Sequence, residues 1–129
     1  MNVPKELEYT KEHEWVAVDG RMARIGITDY AQGQLGDIVY VELPEVGAEV
    51  TAAEPFGSIE AVKAVSDLFA PVSGVVKEIN SAITDSPELV NSSPYGEGWM
   101  IVVETGKPEE LEKLMSAEDY EKLVETESP

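Results

Sequence analysis

The chain has no cysteine among its 129 residues. It therefore has no disulfide framework, no thiolate nucleophile and no sulfur ligand for zinc or an iron–sulfur cluster. Histidine occurs once, at His13, so a hydrolase built around this imidazole lacks a partner nucleophile. The segment HEWVA at residues 13–17 begins like a zinc-protease motif but has alanine where the second histidine ligand is required, which excludes that site. Thiol or redox chemistry must come from a cofactor or a partner.

Basic residues are scarce: nine Lys and Arg stand against 26 Asp and Glu, for a formal charge of −17. Such a field repels phosphate backbones and anionic lipid headgroups, so we expect neither nucleic acid nor a membrane as a partner. The longest apolar run, Trp99–Val103, is far shorter than the roughly 20 residues of a membrane-spanning helix. The first residues show no signal or transit segment. We expect a cytoplasmic protein, or a mitochondrial matrix protein if the chain is a processed eukaryotic one.

Length and patterning predict a single, mainly β domain over residues 1–129, with its core at about 13–104. Asp19-Gly20 separates two β-rich runs and predicts a hairpin. The alternating segment 38–43 predicts a strand, and short apolar stretches between Val50 and Val76, punctuated by proline and glycine, predict further short strands. The expected architecture is therefore mainly antiparallel β.

A few helices complete the expected architecture. Thr28 is suited to cap a short helix over 29–35, which Gly36 would end. A single turn over 87–90 would be capped by Asp85 or Ser86. Amphipathic helices are expected over about 108–124, with Ser116 as a cap, followed by a frayed acidic tail at 125–129.

Lys63 has an unusual setting. It is the only basic residue between Ile25 and Val76, a stretch that holds eight acidic residues. One interpretation is an exposed lysine that keeps a β-turn soluble, which is the common role of lysine. The other is a modified lysine, because acylation of an amine at the tip of a rigid hairpin turns its flexible stem into the base of a longer tether.

The segment SIEAVKAVSDLFAPVSG resembles the lysine hairpin of biotinyl and lipoyl carrier domains. Biotin carriers usually place methionine on both sides of the lysine, whereas this chain has Val62 and Ala64, which favours lipoyl. Together with KEHEWV, GITDYAQGQLGDIVYVELPEVG, SPELVNSSPYGEGWM and the acidic C-terminal helices, the resemblance covers nearly the whole chain. The sequence as a whole resembles the glycine cleavage H-protein family.

This resemblance implies a barrel-sandwich hybrid of two small antiparallel sheets, and a non-catalytic carrier with lipoic acid amide-linked to Lys63. The carrier would shuttle the aminomethyl group of glycine from a pyridoxal-phosphate-dependent glycine decarboxylase (P protein) to a tetrahydrofolate-dependent aminomethyltransferase (T protein). Dihydrolipoyl dehydrogenase (L protein) would reoxidise the arm. A lipoate ligase or a lipoyl/octanoyl transferase would attach it.

The resemblance also implies that the loaded arm folds into a cleft, where Glu14 and Asp67 hold its ammonium group. From the residues alone, the favoured interpretation of Glu14 is a solvated strand residue, and that of Asp67 is an outward polar position in a hairpin. The stretch 91–96 is interpreted as a loop that leads into the last strand. Two other functions use the same scaffold: a lipoate relay protein that supplies 2-oxoacid dehydrogenases, and, less favoured by the residues beside Lys63, a biotin carrier.

Overall fold

The computed structural model describes residues 2–127. Within this range the strands are β1 Glu8–Tyr9, β2 Glu14–Asp19, β3 Met22–Ile27, β4 Ile38–Glu42, β5 Glu49–Val50, β6 Pro55–Ala61, β7 Val65–Phe69, β8 Gly74–Ile79 and β9 Ile101–Thr105. The helices are α1 Asp29–Leu35, α2 Ala82–Asp85, α3 Leu89–Ser92 and α4 Ala117–Glu127, and a 3₁₀ helix spans Pro108–Lys113.

The strands form two sheets, in which every neighbouring pair is antiparallel. One sheet has six strands in the order β1-β2-β3-β9-β8-β5, and the other has three in the order β4-β6-β7. Their apolar faces share one core, to which the larger sheet contributes Val16 and Ile25 and the smaller one Ile59 and Leu68. The expected mainly antiparallel fold of two sheets is confirmed.

The β2–β3 hairpin turns at Gly20, whose φ of +64° is the left-handed conformation that the Asp-Gly pair predicts. Trp15 and Gly26 are directly opposite in this hairpin. The indole of Trp15 covers Gly26 so closely that a Cβ there would lie 2.7 Å from the ring, and its Nε1 donates to the Pro94 carbonyl at 2.9 Å. The absent side chain of Gly26 therefore makes room for a buried tryptophan.

Helix α1 has the ends that the sequence predicts. The Thr28 hydroxyl accepts a hydrogen bond from the Ala31 amide, and Gly36 ends the helix with a φ of +80°. Ala31 and Leu35 pack against the shared core. The helix therefore ends against the core, and two residues separate it from the start of β4 at Ile38.

Strand β4 departs from strict alternation. Ile38 and Val41 are buried, whereas the two residues between them, Val39 and Tyr40, are both exposed. The pairing of β4 with β6 shifts register between Ile38 and Tyr40, and such a bulge adds one residue to the outward face. The sequence pattern alone did not predict this bulge.

Two features of the 82–92 region differ from expectation. The turn predicted at 87–90 is helix α3, Leu89–Ser92, and the cap predicted at Asp85 or Ser86 is wrong, because Glu88 occupies the N-cap position without a side-chain cap bond. Helix α2, Ala82–Asp85, was not predicted; the Asn80 side chain accepts from the Ala82 amide at its start. Backbone turns and one asparagine, rather than a serine or aspartate cap, hold this region.

The C-terminal helices are confirmed with changed bounds. The first is a 3₁₀ helix, and α4 runs to Glu127, beyond the expected end at 124; residues 128 and 129 of the predicted tail lie outside the described residues. The Ser116 hydroxyl accepts from the Asp119 amide, as its capping role requires. Tyr120 of α4 stacks on Tyr9 with ring centroids 4.7 Å apart, and this contact holds the helix against the larger sheet. No helix within residues 2–127 is long and apolar enough to cross a membrane.

Candidate functional site

Lys63 lies at the tip of the β6–β7 hairpin. The hairpin is closed by the Ala61 amide, which donates to the Ala64 carbonyl at 2.7 Å, so that Val62 and Lys63 form the connection. Every residue from Val62 to Asp67 is exposed, and Val62 is 77% accessible. Lys63 belongs to none of the ion pairs formed within residues 2–127. Its amine is therefore open to an acylating enzyme.

The hairpin tip contacts the turn that joins α1 to β4. The Val62 amide donates to the Asp37 carbonyl at 3.1 Å. The stem of Lys63 lies against Gly36, where an added Cβ would be 3.4 Å from the lysine Cε. The amine of the unmodified side chain thus lies on the β4 side of the hairpin.

Asn91 holds this supporting turn. Its side-chain amide donates to the Gly36 carbonyl at 2.8 Å and to Gln32 at 3.0 Å, and its Oδ1 accepts from the Ile38 amide at 2.9 Å. Two of these bonds flank Asp37, whose carbonyl supports Val62. The loop predicted over 91–96 is wrong at its start, because residues 91 and 92 lie in α3. A single half-buried asparagine gives no periodic signal that could reveal this role.

Glu14, at the start of β2, is buried, with 2% of its surface exposed. Its Oε1 accepts from the Thr10 hydroxyl at 2.7 Å, and its Oε2 lies 3.4 Å from the Phe69 amide at the free edge of β7. Burial raises the pKa of this carboxyl to about 8, although the bonds from Thr10 and Phe69 oppose the shift and the charge of Glu12 adds to it. In the folded protein, with the cleft empty, the Glu14 carboxyl is therefore mostly protonated at neutral pH.

Glu14 lines a largely apolar cleft of about 550 Å³ between the end of β7 and the C-terminal segment. Phe69, Leu114, Met115 and Leu123 contribute apolar wall. Lys11, Glu12 and Lys113 add charged groups to the same lining. The cleft can enclose an alkyl chain and place a polar end group beside one buried carboxyl.

Asp67 is placed differently from Glu14. It pairs with Ser58 across β6–β7, is exposed, and is not among the residues that line the cleft. It lies on β7 between Lys63 at the tip and Phe69, whose amide contacts Glu14. Of the two acids, therefore, only Glu14 is in the cleft wall, and Asp67 lies two residues before Phe69 on the strand whose edge Glu14 contacts.

His13 is part of the attachment of α4. Its backbone has a φ of +69°, its Nδ1 lies 2.8 Å from the Tyr120 hydroxyl, and its Nε2 lies 3.1 Å from Glu127. The ring also packs beside Tyr30 at 4.9 Å between centroids. These contacts give His13 a structural role in holding α4.

An exposed lysine amine at a hairpin tip, carried by two antiparallel sheets, is the arrangement expected of a carrier domain of the biotinyl and lipoyl class. The glycine cleavage H-protein family model matches residues 7–127. The chain therefore belongs to the glycine cleavage H-protein family, whose members are lipoyl carrier subunits.

Individual relatives agree with this assignment. The chain is 64% identical to the glycine cleavage system H protein of Geobacillus kaustophilus over 124 residues, which cover 96% of this chain and 98% of the relative. It is 61% identical to that of Bacillus subtilis, with 97% and 98% covered. A crystal structure of an H protein from Mycobacterium marinum superposes with a TM-score of 0.81 at 40% identity, covering 92% of this chain and 95% of the other.

Proposed function

We propose that the chain acts as one carrier unit, residues 1–129, in the cytoplasm, with lipoic acid amide-linked to Lys63. It would shuttle the aminomethyl group of glycine from glycine decarboxylase to the aminomethyltransferase, with reoxidation by dihydrolipoyl dehydrogenase. The observation that carries the proposal is the exposed Lys63 at a hairpin tip, which forms no ion pair within residues 2–127, in a chain that matches the family over residues 7–127.

The residues around Lys63 are compatible with a lipoyl group. Lys63 is exposed, small Ala64 follows it, and the cleft of about 550 Å³ beside Phe69 has a largely apolar wall. When bound, the group supplies two sulfur atoms that cycle between disulfide and dithiol and can carry a one-carbon amine. The absence of cysteine from the chain removes a competing thiol that could form a mixed disulfide with it.

The reach of the arm can be compared with the length of β7. From the lysine Cα to the first sulfur there are twelve bonds, equivalent to four residues of extended chain or about 14 Å, and a bound aminomethyl group extends this to about 16 Å. Along the chain, Asp67 follows Lys63 by four residues, and Phe69, whose amide contacts Glu14, follows it by six. The arm would therefore be about as long as β7, a five-residue strand of about 16 Å, and Asp67 and Glu14 are the acids that would hold its amine.

We assign different tasks to the two acids. Asp67 is exposed and can attract an ammonium group as it passes along β7. Glu14 is buried, and burial raises its pKa to about 8, so its carboxyl holds a proton while the cleft is empty. Glu14 would give this proton to the amine of a loaded arm, and its carboxylate would then hold the ammonium while the apolar wall of the cleft excludes water.

The experiment that tests this function is mass analysis of the Lys63 peptide from the protein purified from its native cells. A lipoyl adduct on Lys63 is expected. A peptide that remains unmodified in cells actively degrading glycine would contradict the proposal, and capture of the intact protein by streptavidin would show a biotin carrier instead. The matched control is the peptide that contains Lys77, an exposed strand lysine that should carry no adduct.

A further inference from the structure

Two short segments that are distant in sequence line the cleft that contains Glu14. Ala52 and Ala53 belong to the turn between β5 and β6, and residues 113–115 end the 3₁₀ helix and continue towards α4. We name them the 52–53 turn and the 113–115 segment. Neither belongs to a strand or an α-helix, so contacts between elements must fix the distance that separates them.

Glu110 connects the two segments. Its Oε1 accepts from the Ser73 backbone amide at 2.6 Å, and its Oε2 accepts from the Ser73 hydroxyl at 3.0 Å. The same Ser73 oxygen accepts from the Ala52 amide at 2.9 Å. Hydrogen bonds to a carboxylate are shorter and stronger than those between neutral groups. A chain of hydrogen bonds, which we name the Glu110–Ser73 bridge, therefore runs from the 3₁₀ helix to the 52–53 turn.

The 3₁₀ helix depends on such contacts for its position. It has only six residues, Pro108–Lys113, and no side-chain cap at its start. The hydrogen-bond geometry of a 3₁₀ helix is poor, so a run of this length has little stability of its own. Leu111 and Leu114 pack against the core, and Glu110 bonds Ser73. The bridge therefore helps to set where the 113–115 segment meets the cleft.

The 52–53 turn has an unfavourable backbone conformation. Ala53 has a φ of +70°, in the left-handed region that residues with a Cβ rarely adopt. Its amide donates to the Ala70 carbonyl at 2.8 Å, and the neighbouring Ala52 amide donates to Ser73. Strain of this kind persists only where the surrounding structure holds it, and it is concentrated at functional sites. The Glu110–Ser73 bridge is one contact that holds this turn beside the cleft.

Water can destroy the cargo of a loaded arm. An aminomethyl group on sulfur reacts with one water molecule to give a thiol, formaldehyde and ammonium. The C–S and C–N bonds break, the sulfur leaves with the electron pair of the C–S bond and takes up a proton, and the water oxygen becomes that of formaldehyde. A cleft that excludes water therefore slows the loss of the carried group.

We propose that Glu110 and Ser73 are positioning residues that keep the cleft closed around a loaded arm and so slow this hydrolysis. The inference rests on the proposed function, because it takes the arm on Lys63 as the occupant of the cleft. Neither Glu110 nor Ser73 lines the cleft. Both act through the 52–53 turn and the 113–115 segment, which do.

The first measurement is hydrogen exchange in the unmodified protein, which needs no cofactor. Glu110→Ala should speed exchange at the Ala52 and Ala53 amides about tenfold, since loss of a charge-assisted hydrogen bond raises the population of the open turn by about that factor. Glu110→Gln can still bond both groups of Ser73 and should exchange more slowly than Glu110→Ala. Glu109→Ala changes an exposed glutamate of the same helix and should exchange like the wild type.

The second measurement is the release of formaldehyde from lipoylated protein that has been loaded with glycine and glycine decarboxylase and then separated from the decarboxylase. Glu110→Ala and Ser73→Ala should each release it about tenfold faster than the wild type per loaded arm. The double variant should be no faster than either single one, because both changes break the same bridge. Ile83→Val removes a methyl group from the core outside the cleft lining, so it lowers stability and should release formaldehyde at the wild-type rate.

The outcomes separate the bridge from the proposed function. If the wild type can be loaded and the bridge variants release formaldehyde at its rate, the positioning role is wrong while the carrier function stands. Unchanged exchange at Ala52 in Glu110→Ala would also contradict it. If Ile83→Val releases formaldehyde as fast as Glu110→Ala, release follows overall stability and the inference is overturned. If the wild type is never loaded, the proposed function fails, and the inference fails with it.

Discussion

Replacement of Glu14 by glutamine should stabilise the protein at high pH. The buried carboxyl has a folded-state pKa of about 8 against an ordinary value of 4.5, because burial disfavours its charged form. In the unfolded chain this group loses its proton near pH 4.5, whereas in the folded chain it keeps the proton up to about pH 8. The folded state therefore binds more protons across this interval, and the free energy of unfolding falls as pH rises through it.

The magnitude follows from the pKa difference. A shift from 4.5 to about 8 at 1.36 kcal/mol per pH unit gives about 5 kcal/mol in full, of which about 4 kcal/mol develops between pH 5 and pH 9. Glutamine has the same shape, can accept from the Phe69 amide and can donate to Thr10, but carries no titrating proton. Its advantage over glutamate should therefore grow by about 4 kcal/mol across this range.

The assay is urea unfolding of the wild type and Glu14→Gln at several pH values from 5 to 9, with the difference between the two plotted against pH. Titration of all other groups cancels in this difference. Asp67→Asn is the matched control, because the carboxylate is exposed on the same hairpin, and it should change stability by less than about 0.5 kcal/mol at each pH. Parallel profiles for the wild type and Glu14→Gln would refute the argument that Glu14 is buried in its protonated form.

Three further substitutions test the local structure, each by urea unfolding. Gly26→Ala should destabilise the fold by about 1–3 kcal/mol because its Cβ would lie 2.7 Å from the buried Trp15 ring. Gly33→Ala, in the open interior of α1, should instead stabilise it by about 0.5–1 kcal/mol, and a loss at Gly33 as large as that at Gly26 would contradict the steric argument. Asn91→Ala leaves the Gly36 carbonyl and the Ile38 amide without their side-chain partner, so it should cost about 1–3 kcal/mol and speed hydrogen exchange at the Val62 amide. Unchanged exchange at Val62 in that variant would show that Asn91 does not hold the hairpin tip.

The sequence predicted those parts of the fold that have strong local signals. Asp19-Gly20 demands a tight turn, Thr28 and Gly36 define the ends of α1, and proline with glycine separates the short strands. The β4 bulge, helix α2 and the full length of α4 could not be predicted from local sequence, because each depends on packing. Tyr120 of α4, for example, stacks on Tyr9 from the other end of the chain.

The candidate site also contains residues that the sequence predicted and residues that it did not. Lys63 was predictable from its charge isolation together with the family resemblance, and the structure places it at an exposed tip. The burial of Glu14 was not predictable, because a glutamate that begins a strand ordinarily faces solvent. Its raised pKa arises only in the fold, where β2 meets the edge of β7. Asn91 acts through three hydrogen bonds to residues more than 50 positions away, which no local pattern encodes.

The central claim is that a group carried on Lys63 connects separate enzymes. The most direct measurement is glycine-dependent formation of methylenetetrahydrofolate in a mixture of decarboxylase, aminomethyltransferase, dihydrolipoyl dehydrogenase and this protein after treatment with lipoate ligase. The wild type should sustain turnover, whereas Lys63→Arg, which keeps the charge at an exposed position, should fold normally and give none. Turnover by the folded Lys63→Arg protein at the wild-type rate would contradict the account.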